Sequence, residues 1–428
     1  MTVACDFLLR RAGELVTMAD RATLGVVRDG ALAARDGRVV WVGKEEDLDG
    51  AVDPVDGAVE VDAEGACVLP GFVDCHTHLV WAGDRADEYA RRLAGASYLE
   101  IQATGGGIMS TVRATRAATT EELAALARCR LDSFLRHGTT TVEAKSGYGL
   151  TLADEAKQLR AAAVPHPVRR RRTLLAAHAV PEEFAGRADE FVDLVCGEIV
   201  PLLAAEAEFV DVFCDEGAFT VAQARRVLET GRAHGLGLKI HAEELARSGG
   251  ARLAAELGAV SADHLVHATA ADAAALAAAG TVAVLLPGTS YFLRSAYAPA
   301  RELLAAGATV ALASDLNPGS CHCENLQLVV SLACQELRLT PAEALWAATA
   351  GGAQALNMAG EVGSLVPGRR CDLVVLDAAR HEEVAYHFGV NHVDGVVVDG
   401  VVVVEGGRLT AAAAADSWSP YGGRRETA

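Results

Sequence analysis

The sequence predicts an α/β protein, a closed parallel (β/α)8 barrel joined to a small composite β-sandwich domain. Three observations predict it. Strand-like apolar runs recur near residues 67–74, 139–145, 173–178, 209–214, 237–241, 260–264, 281–286 and 309–314. Between them lie Ala-, Leu- and Glu-rich helical stretches, for example Thr220 to His234 and Arg247 to Leu257. Eight such alternations imply a parallel closed sheet, and 428 residues suit one barrel with additions.

The chain ends have a different texture. Short β-rich runs, Gly25-Val26-Val27, Ala31-Leu32-Ala33 and Arg38-Val39-Val40-Trp41-Val42, are set off by Asp29-Gly30 and Asp36-Gly37. Asp-Gly between alternating apolar residues signals a hairpin turn. The same texture returns in Cys371 to Asp377 and Gly395 to Val404. Neither half has enough core to stand alone. One β domain built from residues 1–66 and 365–428, with the barrel of residues 67–364 inserted, is the expected arrangement.

Composition narrows the function classes. A net charge of −19 argues against nucleic acid or an anionic membrane as partner. No apolar run approaches about 18 residues, so no membrane helix is expected. Met1 to Arg11 lacks the basic start, apolar core and small-residue cleavage site of a signal peptide. Ten cysteines are scattered without a framework, and Cys67, Cys196 and Cys214 sit beside strand-like residues. Reduced thiols in a cytoplasmic protein follow from that pattern.

Barrels of this type put chemistry on the loops after the strand C-terminal ends. The first run leads into Pro70-Gly71-Phe72-Val73-Asp74-Cys75-His76-Thr77-His78. In extended backbone alternate side chains share a face, so His76 and His78 aim at one spot. The fifth run ends in His241-Ala242-Glu243-Glu244, the sixth in Asp263-His264, and the eighth in Ser314-Asp315. Three histidines and a carboxylate at one end of a barrel suit a single zinc or iron ion.

This pattern resembles the amidohydrolase superfamily, whose members join such a barrel to a composite β-sandwich. Many members hold two metals with a carboxylated lysine after the fourth strand. Here that run ends Val212-Phe213-Cys214-Asp215-Glu216, without lysine, so the resemblance is to the single-metal branch of deaminases and one ring hydrolase. Glu244, three residues after His241, matches the His-x-x-Glu feature of that branch. Further stretches resemble the ring hydrolase: Ala82 to Glu88, Gly105-Gly106-Gly107-Ile108, Glu143 to Leu150, Ala177-His178-Ala179-Val180-Pro181 and Asp315 to Ser320.

The resemblance implies hydrolysis of 4-imidazolone-5-propanoate to N-formimidoyl-L-glutamate, in L-histidine degradation, by a metal-activated water. It implies one ion per chain, Zn(2+) or Fe(3+), on His76, His78, His241 and Asp315, and a homodimer. Opening a cyclic amide needs proton transfer to the leaving nitrogen, for which Glu244, His264 and Asp315 are the candidates. By resemblance Arg85 holds the propanoate carboxylate, Tyr148 and His178 contact the ring, and Glu244, Asn317, Gly319 and Ser320 line the same pocket.

Each assignment has a plainer competitor. Arg85 lies among Asp84, Asp87 and Glu88, where a surface ion pair is the alternative, and His178 could be a satisfied core histidine. Gly105 to Gly107 read as a flexible loop, since no strand leads into them and no Lys-Ser/Thr follows to make a phosphate cradle. Arg169 to Arg172 read as a solvated approach to the third strand. Cys321-His322-Cys323 raises a second metal that no further cluster completes. A deaminase or other cyclic-amide hydrolase on the same barrel is the second reading. A non-catalytic scaffold of this fold is the third, and such a scaffold would have lost ligands that are all present here.

Overall fold

Asp-Gly pairs shape the terminal sheet, though not all in the same way. In the computed structural model, which describes residues 2–96, 100 and 105–413, Asp36-Gly37 joins β2 (Val26–Arg35) to β3 (Arg38–Lys44). Both turn residues have positive φ, +50° and +73°, the backbone that the tight hairpin turn with the strands' own twist demands. Asp29-Gly30 is not a turn. It lies inside β2, with Asp29 at φ +48°, opposite a register shift between Leu9 and Ala12 of β1 (Val3–Val16). The left-handed residue there bends a continuous strand instead of reversing it.

Among the described residues the terminal sheet has nine strands, drawn from both ends of the chain. Beyond β1 to β3 it takes β4 (Val52–Asp62), paired parallel to β1, and β5 (Cys67–Pro70). The barrel strands are β6 (Phe72–Asp74), β7 (Thr139–Lys145), β8 (Arg169–Ala177), β9 (Phe209–Cys214), β10 (Gly237–Ala242), β11 (Ser261–His264), β12 (Val282–Leu285) and β13 (Val310–Leu312). The C-terminal strands β14 (Leu373–Leu376), β15 (Val393–Val398), β16 (Val401–Glu405) and β17 (Arg408–Leu409) complete the first sheet, in the order β17-β16-β15-β14-β5-β1-β2-β3. One core packs Phe7, Leu9, Leu32 and Val68 against Leu365, Leu373 and Val397, so both termini bury the same surface. Residues 414–428 of the segment expected to start at 365 lie outside the described residues.

The apolar run 67–74 is two strands, not one. β5 belongs to the terminal sheet and β6 opens the barrel, with Gly71 at the crossing. A Cβ on Gly71 would lie 2.2 Å from the Thr140 hydroxyl, so glycine lets the two sheets meet. Arg169 to Arg172 likewise depart from the sequence reading. They are half-buried within β8, and Arg169 joins the two sheets through Asp372 at 2.7 Å and Asp399 at 2.9 Å.

All eight barrel strands pair in parallel in chain order, from β6 to β13. The seam between β6 and β13 closes just past the strand ends, by a parallel bridge between Thr77 and Leu316. There His78 N–H donates to Leu316 O at 2.9 Å and Asp315 N–H to His76 O at 3.0 Å. Helices cover the outside. Val221–Ala233 begins at a capping box of Thr220 and Gln223, close to the predicted span. The next predicted helix starts three residues late, at Gly250–Leu257, because the Glu243 carboxylate gathers the N–H groups of Ser248, Gly249 and Ala251. No described helix is long and apolar enough to cross a membrane.

Candidate metal centre and active site

The closing seam brings the ligand-type residues together. His241 Nε2 lies 3.5 Å from His78 Nε2, and Asp315 Oδ1 lies 3.4 Å from His76 Nε2 and 3.6 Å from His78 Nε2. Four donors on one ion with bonds of about 2.0–2.2 Å would stand roughly 3.3–3.6 Å apart. Three of these groups are also held from behind, while His78 Nδ1 is buried without a hydrogen-bond partner among the described residues. His76 Nδ1 meets Asp263 at 2.6 Å and His241 Nδ1 meets Asp211 at 3.0 Å, so their Nε2 lone pairs face the shared point. Asp315 Oδ2 accepts from the Thr289 hydroxyl at 2.6 Å, which leaves Oδ1 to point inward. The buried His76 Nε2 has no hydrogen-bond partner within the protein. A buried acceptor left unpaired is costly, and a cation at that point would satisfy it. The donor set fits one metal ion.

Behind the ligands lies a charge network that sequence reasoning missed. Lys145 Nζ reaches Asp211 at 2.6 Å, Glu143 at 3.1 Å and Asp263 at 3.6 Å. Lys239 Nζ reaches Glu143 at 2.9 Å and the Cys75 carbonyl at 2.9 Å. All these side chains are fully buried. The signal was present, since Glu143 and Lys145, or Lys239 and His241, sit two apart in strands and share the inward face.

Glu244 and His264 stand beside the ligands, with His264 Nε2 3.6 Å from Glu244 Oε2. Burial, then the nearby carboxylates Asp315 and Asp215, push the Glu244 carboxyl up to about 8. Burial, then His241, holds His264 well below its usual range, so it is neutral. Asp315 itself is pushed up to about 6, mainly by burial. Asp215, also missed, accepts the backbone N–H groups of Glu244, Leu245 and Ala246 at 2.7–3.1 Å and so fixes the loop that carries Glu244. His264 at φ +75° and Asp315 at φ +54° have left-handed backbone, strain that the surrounding contacts hold in place.

A cleft of about 450 Å³ opens above this cluster, lined among others by Arg85, Tyr148, His178, Phe213, Glu244, Asn317, Gly319 and Ser320. His178 is not a core residue. It stacks on His78 at 4.9 Å and donates Nδ1–H to the Gly147 carbonyl at 3.0 Å, so Nε2 is left as acceptor. Burial, then His241, lowers it to about 3. The Tyr148 hydroxyl is raised by burial and stays protonated.

Asn317 lines the cleft and also holds its own loop in shape. Its amide donates to Asp315 O and Ser320 Oγ and accepts from the Gly319 and Ser320 N–H groups, so it shapes the loop. Arg85 lies in the cleft wall, bound two-pronged to Glu88. Gly107 is tied down as well, because its N–H donates to Glu88 at 2.8 Å. Among the described residues no metal-capable group includes Cys321, His322 or Cys323.

Barrel, composite sheet and end-on histidine cluster together define a hydrolase of the amidohydrolase type, and the sequence profile of the amidohydrolase family matches residues 67–403. Imidazolonepropionase from Symbiobacterium thermophilum is 51% identical over 418 residues, covering 94% of this chain and 98% of the relative. Imidazolonepropionase from Salinispora arenicola is 50% identical, covering 92% and 98%. The chain belongs to the amidohydrolase family and, within it, to the imidazolonepropionases. In fold it is similar to a zinc-bound adenosine deaminase from Xanthomonas campestris, with TM-score 0.74, 22% identity and 96% and 95% of the two chains covered.

Proposed function

We propose that the protein hydrolyses the cyclic amide of 4-imidazolone-5-propanoate to N-formimidoyl-L-glutamate, the third step of L-histidine degradation. The observation that carries this reading is a two-ended cleft, with a histidine–carboxylate cluster at the floor and the Arg85 guanidinium in the wall. A flat ring bearing a charged arm matches both ends. A nucleobase deaminase would use the same floor and leave Arg85 without a task.

His76, His78, His241 and Asp315 would hold one ion, Zn(2+) or Fe(3+), whose chemistry when bound is to acidify water to a pKa of about 7 and to polarise a carbonyl. Glu244 and His264 handle the protons. A carboxyl near 8 can take a proton from the attacking water and return one to the leaving ring nitrogen near neutral pH. Asp315 assists beside the water. His178 Nε2 accepts from a ring N–H, Tyr148 closes over the ring, and Arg85 pairs the propanoate. Gly319, which lies against Arg85, and Ser320 line the cleft on the loop that Asn317 holds.

We also propose a cytoplasmic homodimer with a small-molecule substrate and neither nucleic acid nor membrane as partner. Ten unbridged cysteines support the compartment, and the exposed Tyr386 and Phe388 offer an apolar face to a second copy. Sedimentation analysis tests the oligomer. For the activity, purified protein is given imidazolone propanoate and the product identified by mass spectrometry. Absence of formimidoyl-glutamate with metal bound refutes the assignment.

A further inference from the structure

Arg85 is not the only guanidinium in the cleft. Arg92 also lines it, one turn past Glu88 on the helix Ala86–Leu93. The two arginines converge on one backbone position. Arg92 Nη1 donates to the Gly319 carbonyl at 3.5 Å, and a Cβ placed on Gly319 would lie 2.0 Å from Arg85 Nη1. The plane of Arg92 is set by aromatic rings, with its guanidinium carbon 4.9 Å from the Phe292 ring centre and 5.5 Å from that of Tyr89. Those rings stack on each other at 4.8 Å.

The partners of Arg92 do not balance its charge. Its other contact is the Phe292 carbonyl at 3.3 Å, and among the described residues no carboxylate lies within ion-pair distance of it. Glu88 is committed to Arg85 and to Gly107 N–H, while Asp84 and Asp87 face solvent. Among the described residues, two cations and one carboxylate in this half-buried wall leave one positive charge in excess. Burial and the nearby Arg85 lower the Arg92 guanidinium, as expected for two like charges held close.

We propose that Arg92 is a second carboxylate-reading residue, which with Arg85 clamps the substrate's acidic arm over Gly319 while Glu88 neutralises the remaining charge of the pair. The inference rests on the propanoate reading above. It assigns the carboxylate to two guanidinium groups and explains why the site keeps a glutamate within reach of its anion-binding arginine. Without Glu88 the wall would carry two excess charges against one on the substrate.

The test uses steady-state kinetics of the metal-loaded enzyme on the acid substrate and on its neutral propanamide analogue. Arg92→Met keeps an apolar stem against Tyr89 and Phe292 but removes the charge. It should lower kcat/KM for the acid by about tenfold or more, mainly through KM, and change the amide by less than about twofold. Arg92→Lys should recover part of the acid activity without restoring two-pronged binding. Because both arginines would read one carboxylate, the losses in Arg85→Met and Arg92→Met should be non-additive. Equal losses for acid and amide in the folded Arg92 variants overturn the proposal and make Arg92 a support of the aromatic stack. If Arg92→Met does not fold, judged by its unfolding midpoint, the acid-to-amide ratio of Arg92→Lys decides by the same criterion. A wild-type enzyme inert toward the acid refutes the substrate reading itself, a different result from normal wild-type turnover with unselective variants.

Discussion

At the floor of the cleft three of the four ligand-type side chains are held from behind by a buried partner, whereas at the mouth Arg85 pairs with one glutamate and Arg92 meets a pair of backbone carbonyls. His76 leans on Asp263, His241 on Asp211 and Asp315 on Thr289, and Lys145 ties the two outer carboxylates together. The floor is therefore fixed before any ligand arrives. The mouth is different, because its ion pair can be exchanged for one with substrate. Over-determined geometry suits bond breaking, where small displacements are costly, and exchangeable pairs suit recognition and release.

The largest expected effects lie at the floor. His241→Ala removes a donor from a set of four, so metal content by elemental analysis should fall with activity, by more than the roughly 10–100-fold that loss of an outer partner costs. A variant with full metal and full turnover would dissolve the contrast between floor and mouth. Glu244→Gln comes next. It should keep its metal, since Glu244 is not placed as a ligand, and lose about 10²–10⁴-fold in kcat. His264→Ala should behave alike, and normal turnover in both would assign proton transfer elsewhere.

Arg85→Ala acts at the mouth and should lower kcat/KM by about 10²-fold, chiefly through KM, with metal content unchanged. Arg85→Lys should recover only part. Glu88, left without its partner, adds to the cost for this variant, which Glu88→Gln in the same background would relieve. If metal content drops in Arg85→Ala, the two regions are coupled and the division drawn above fails.

The floor was legible in the sequence wherever chemistry sits at the end of an apolar run. His76, His78, His241 and Asp315 each follow one, and strand geometry alone aims the first two together. The second tier was not read, because Asp211, Asp263 and Lys145 lie within or at the edge of the runs, where a charge looks like an interruption. Two-residue periodicity would have exposed it, since an ionisable group on the inward face of a barrel strand must be paired. Arg169 was misread for a related reason. A run of four arginines suggests solvent, but a strand sends alternate side chains to opposite faces, and Asp372 and Asp399 lie far away in sequence. At the mouth, Arg85 stood out by resemblance while Arg92 did not, because its meaning depends on Gly319, 227 residues away.

Asp263→Asn tests whether the outer tier holds the floor. The amide keeps the shape, but it can present its NH₂ to His76 Nδ1 and so favour the wrong ring tautomer. It also removes one negative charge facing Lys145. Metal affinity should fall by about 10–100-fold, measured by competition with a chelator, while turnover at saturating metal recovers in large part. Unchanged affinity would mean that the cluster is fixed by backbone alone.

The smallest effect should come from Gly319→Ala, which asks how adaptable the mouth is. The added Cβ would lie 2.0 Å from Arg85 Nη1, closer than atoms can approach, so something must move. The clashing atom is the end of a long side chain, and Gly319 is not among the glycines with positive φ, so alanine meets no backbone strain there. Arg85 can swing aside at modest cost, lengthening its reach to the carboxylate without losing its charge. An increase in KM of about fivefold, roughly 1 kcal/mol, is expected, with kcat, metal content and unfolding temperature near wild type. The contrast is Gly71, where a Cβ would press on the Thr140 side chain where the two sheets cross. Gly71→Ala should therefore lower the unfolding temperature. If Gly319→Ala also lowers it, or depresses kcat by tenfold or more, the mouth is as rigid as the floor and the exchangeable ion pair is the wrong description of it.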